Sequence, residues 1–102
     1  MAWYVYIAYF VAGFSFANSV PHFVAGISGA KFQSPFAKPP GEGESSPQVN
    51  VLWGLGNFVV AYILVTSVGD FSTGLTVDSL LVFVGALVSG LLGGTHFAKV
   101  RN

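Results

Sequence analysis

The side chains with most chemistry to offer in this 102-residue chain are His22 and His96, with Asn18, Asn50, Asn57 and Ser89. An imidazole can ligate a metal, move a proton or hydrogen-bond through either nitrogen. A carboxamide donates and accepts at once. Two histidines on separate helices at similar depth could act as axial haem ligands. A zinc site needs three or four protein ligands, more than one copy of this chain supplies, so no metal is expected. With no cysteine in the sequence, thiolate catalysis and iron–sulfur ligation drop out. Glu42 and Glu44 fall in a proline- and glycine-rich connection, and Asp70 and Asp78 fall in another. The two pairs cannot meet as a general acid and base. "GISG" and "GLG" follow no strand and precede no phosphate-binding lysine. The expectation is therefore no enzyme and no cofactor, with a bis-histidine haem subunit as a minor alternative.

What must position these residues is a membrane bundle. Charged residues make up 8% of the chain and hydrophobic ones 53%, against about 25% charged in a soluble domain. Net charge is zero and no basic cluster exists, so nucleic acid is excluded as a partner. The predicted fold is all-α: one integral membrane domain over residues 1–102, with helices at about 3–28, 50–68 and 79–98 and a loop at 31–48. Each apolar run approaches the roughly 20 residues that span a bilayer. The first is longer and is expected to tilt or to kink near Pro21. No Lys or Arg precedes Lys31, so the first run is read as a retained helix and not a signal peptide. Four prolines and two glycines in the 31–48 loop argue against regular structure there, and Phe32 and Phe36 give it apolar anchors. Asp78 with Ser79 is the expected N-cap of the third helix.

Lys31, Lys38, Lys99 and Arg101 all fall on one side of a three-span chain. The positive-inside bias then places the N-terminus outside and the C-terminus in the cytoplasm, with a bacterial inner membrane as the expected location. Trp3, Tyr4 and Tyr6 would form an outer aromatic belt, and Trp53 an interfacial anchor on the other side.

Steps of three and four residues draw one narrow small-and-polar face on each helix. These are Ala8, Ala12, Ser15, Ser19 and His22; then Asn50, Gly54, Asn57 and Ala61; then Ala86, Ser89, Gly93 and His96. Membrane helices associate through such faces. Beside the third runs Ala86, Gly90 and Gly94, a small-xxx-small pattern suited to a second copy or a partner. The topology gathers Asn18, His22, Asn50, Asn57, Ser89 and His96 toward one end. That cluster is either a packing clasp, at roughly 0.6 kcal/mol per bond, or a wet site, the default reading of ionisable residues in membrane spans. Pro21 frees the Ala17 carbonyl, with Asn18, Ser19 and His22 in local reach. Tyr6, Phe10 and Phe14 are expected to face lipid or a neighbouring helix.

Three helices, an outside N-terminus and a proline in the first helix make an outline similar to the semiSWEET sugar transporters, which work as dimers. Those carry a Pro-Gln pair where this chain has Pro21-His22, and a short first connection where this one is long. The resemblance implies a second copy to enclose a pathway and transfers no residue role. The leading expectation is a structural or accessory subunit, or an oligomeric scaffold, within a homo-oligomer or larger membrane complex. The alternative is a homo-oligomeric transporter or channel for a small polar solute or protons.

Overall fold

The uncharged opening run folds as one helix, α1 (Trp3–Ile27), in a computed structural model that describes residues 2–102. Its 25 residues reach about 37 Å at 1.5 Å per residue, enough to cross a hydrocarbon core of about 30 Å with tilt. Pro21 lies inside it, and helix continues for six residues beyond. Asn18, Ser19 and His22 do not turn back to the carbonyl that Pro21 frees. Ser19 Oγ donates to the Phe16 carbonyl at 2.6 Å, and the other two reach across to the second helix.

Two short strands, β1 (Phe32–Gln33) and β2 (Glu44–Ser45), pair antiparallel within the first connection. The loop is therefore more ordered than its proline content suggests, because its ends are pinned together and the prolines sit in the excursion between. The second helix, α2 (Pro47–Thr66), starts three residues before the expected position. Ser46 caps it by accepting from Val49 N–H at 3.2 Å, and Pro47 occupies the first turn, where its missing N–H costs nothing. The third, α3 (Val77–Arg101), also starts earlier. Its N-cap is Thr76, whose Oγ1 accepts from Ser79 N–H at 3.2 Å, and not the expected Asp78–Ser79 pair. Asp78 lies in the first turn, where its charge suits the helix dipole. Its Oδ2 accepts from Ser72 N–H at 3.0 Å and so ties down the preceding turn.

Packing centres on α1. Helix α2 runs antiparallel along one side and α3 parallel along the other, and α2 and α3 barely touch each other. Glycines set both close approaches. A Cβ at Gly13 would collide with the Val82 carbonyl oxygen, and one at Gly85 with that of Phe10. Across the other seam, a Cβ at Gly26 would lie 2.6 Å from the Pro47 carbonyl oxygen, and one at Gly54 2.8 Å from Phe23. These neighbours are backbone or Cβ atoms, so only glycine permits the spacing. The outer surfaces are apolar: Leu52, Tyr62, Phe83 and Leu91 are each more than 60% exposed. The result is an all-helical fold with three helices long and apolar enough to span a membrane.

Candidate functional site

Where α1 ends and α2 begins, a polar knot joins both helices to the connection between them. Asn50, in the first turn of α2, is completely buried. Its Nδ2 hydrogens reach the carbonyls of Phe32 at 3.1 Å, Ser45 at 3.2 Å and Ser46 at 3.1 Å. The amide nitrogen thereby closes both ends of the strand pair onto the helix start. Its Oδ1 is then turned to α1, where it lies 2.8 Å from His22 Nδ1. An amide oxygen only accepts, so His22 carries its proton on Nδ1 and donates it.

One helical turn deeper, Asn18 Nδ2 donates to Asn57 Oδ1 at 3.2 Å, and Asn57 Nδ2 donates to its own helix at the Trp53 carbonyl, 2.9 Å. Two cross-helix bonds thus join α1 to α2, one turn apart on α1 and two turns apart on α2. Aromatic rings surround the upper one. Phe32, Trp53 and Phe97 stand edge-to-face around His22 at centroid distances of 5.3, 6.4 and 6.2 Å. Trp53 also packs against Phe36 at 5.1 Å, and its Nε1 is buried without a hydrogen-bond partner. It is thus part of the knot's wall, beyond the anchoring role its position in the sequence suggests.

The third helix reaches the knot through the loop. His96 Nε2–H donates to the Gly41 carbonyl at 2.6 Å, and Gly41 presents that carbonyl from a left-handed turn with φ of 76°. Arg101 donates to Gln33 Oε1 at 2.8 Å, stands 3.8 Å from Glu44 and lies over the Phe32 ring at 4.5 Å. Ser34 and Ser45 share a hydroxyl–hydroxyl bond, and Ser34 Oγ also accepts from Phe36 N–H at 3.1 Å. The loop is held down at both ends and in the middle.

The six polar residues singled out in the sequence separate into roles. Asn18, His22, Asn50 and Asn57 form the two α1–α2 bonds. His96 is exposed and engages the loop, not His22. Ser89 is buried on α3, apart from the bonded knot. Among the small residues, Ala12 is fully buried, Gly54 sits at the α1–α2 approach, and the Ala86 backbone lies against Gly13. Ala8 is half-buried. A Cβ on Gly90 or Gly94 would meet nothing within 4 Å, and one on Gly93 only the Phe97 ring of its own helix.

Sequence reading missed Gly13, Gly26 and Gly85, and the loop contributions of Gln33, Ser34 and Gly41. Gly13 and Gly85 stand one residue off the drawn stripes. A search for small residues on a second face of α1 would have found the first. Among the described residues no three His, Cys, Asp or Glu side chains converge as a metal site. Comparison with protein-family models, curated proteins and solved structures finds no match for this chain, so the semiSWEET outline gains no support from them.

Proposed function

We propose that this protein is a non-catalytic membrane subunit or scaffold that joins another membrane helix through α3. The carrying observation is an asymmetry in how its two kinds of small-residue surface are used. Gly13, Gly85, Gly26 and Gly54 lie against backbone or Cβ atoms within the chain, whereas Gly90 and Gly94 open together on empty space along α3, where α2 has a single open glycine, Gly56. Small residues on membrane helices permit close backbone approach, the main route to association where lipid offers no hydrophobic drive. The knot fits this role as a clasp, because Asn50 uses both its oxygen and its nitrogen within the chain. On this reading the N-terminus is outside, the C-terminus and the loop are cytoplasmic, and the membrane is a bacterial inner membrane. The four cations on the loop side support that orientation.

The natural absence of cysteine provides a direct test. Gly90→Cys and Leu52→Cys variants each carry one thiol, and mild oxidation or a short bifunctional reagent is applied in native membranes. The expected result is efficient cross-linking from position 90, to a second copy or a larger partner, and little from position 52. Equal, weak cross-linking from both positions overturns the proposal.

Transport is the second reading, supported by a cavity beside His22 and Asn18. It requires a second copy to complete a pathway past His22, Asn57 and His96. Solute or proton flux in reconstituted vesicles that disappears in Asn57→Leu would favour it over the scaffold. The haem reading has less to support it. The cavity near both histidines measures about 140 Å³, below the roughly 300–1,000 Å³ of ordinary small-molecule sites.

A further inference from the structure

Beneath the loop, the walls of that 140 Å³ cavity include Asn18, His22, Ser34, Trp53, His96 and Phe97. Their hydrogen-bonding capacity is only partly used. His22 donates from Nδ1 to Asn50, which leaves the neutral ring with a lone pair on Nε2. No group among the described residues bonds that nitrogen. Asn18 donates to Asn57 and keeps Oδ1 as an acceptor. His96 donates from Nε2 to Gly41, leaving an acceptor at Nδ1. Trp53 also lines the space, while its Nε1–H is itself buried away from water and unpartnered.

We propose that this cavity binds a small neutral molecule with a hydroxyl or carboxamide group, which donates to His22 Nε2 and packs beside the Trp53 ring. The site goes beyond the scaffold role and does not depend on it. Neutrality follows from the walls. They include no carboxylate to balance a cation, and the nearby Arg101 guanidinium is already engaged by Gln33 and Glu44. Burying an unpaired charge there is far more costly than burying a dipole. Size sets the other limit. At about 30 Å³ per water molecule in the liquid, the space suits a few waters or one solute of four or five heavy atoms. Water and such a solute share the required chemistry, and the loop carbonyl of Gly41, held by His96, forms part of the roof over either.

The test reads the indole directly. The chain has two tryptophans, so Trp3→Phe leaves Trp53 as the only indole N–H signal in a nitrogen-15 spectrum of the full chain in nanodiscs. Acetamide and ethylene glycol are titrated as neutral probes, with tetramethylammonium and acetate as charged ones. The expected result is a saturable shift of the Trp53 resonance with a neutral probe and none with the ions. Affinity should fall about tenfold in Asn18→Ala and further in His22→Phe. If His22→Phe fails to fold, the parent titration and Asn18→Ala still decide the question. No solute response, with or without magnetisation transfer from water to the indole N–H, leaves water as the occupant and overturns the proposal. A resonance that shifts equally with the ions overturns it as well.

Discussion

At the scale of single residues, Asn50 has more dependents than any other polar side chain in the fold. Its removal leaves His22 Nδ1–H without its acceptor and takes only a second partner from the Phe32 and Ser45 carbonyls, which strand pairing also engages. Each buried group left unpaired costs about 1–3 kcal/mol. Asn50→Ala is therefore expected to lower stability by about 1–3 kcal/mol, measured by denaturant or thermal unfolding in detergent. Asn18→Ala removes one partly buried bond and is expected to cost only about 0.6 kcal/mol. If the two variants unfold alike, Asn50 is not the organising residue. The α1–α2 pairs were legible in the sequence, because residue type and a three-and-four step put amides and imidazole on facing stripes. The rest of the knot was not. It depends on the carbonyls of Phe32, Ser45 and Gly41, and every residue owns a carbonyl, so no residue type marks those positions in advance.

At the scale of helices, the two glycine classes predict substitutions of opposite sign. Gly13→Ala places a methyl against the Val82 carbonyl oxygen. Backbone cannot rotate away as a side chain can, so α1 and α3 must separate, at about 1–3 kcal/mol. Gly94→Ala meets nothing within the chain and gains helix propensity worth up to about 1 kcal/mol. Unfolding of the isolated chain should show the first variant destabilised and the second unchanged or stabilised. The three helices themselves were legible because apolar run length is a strong signal. Their starts were less so. Thr76 caps where Asp78 was expected, since the turn before α3 uses the Asp78 carboxylate to hold Ser72 N–H. The placement of α1 between the other two was not legible either. One stripe per helix describes a closed triangle, whereas a central helix needs two packing faces.

At the scale of the whole molecule, the loop and the C-terminal end of α3 form one unit. Arg101 joins them through Gln33, the Phe32 ring and, more weakly, Glu44. Exposed ion pairs contribute about 1 kcal/mol or less, so the bond to Gln33 and the ring stacking should dominate. Arg101→Ala is expected to raise the rate of limited proteolysis within residues 35–43 several-fold while helix content by circular dichroism stays constant. Glu44→Ala should change that rate much less. Equal effects from the two variants would mean that charge, not the Gln33 and ring contacts, holds the loop down.

The partnership of His22 with Asn50 across 28 positions of sequence also has a meaning in time. Chains grow at about 5–20 residues per second, so His22 exists for roughly 1.5–6 seconds before its acceptor has been made. Asn18 waits longer still for Asn57, 39 positions on. During synthesis the first helix is therefore an incomplete object, with its imidazole and amide needing temporary satisfaction from water or another partner. The clasp that later closes α1 against α2 begins as a vulnerability of the newborn chain.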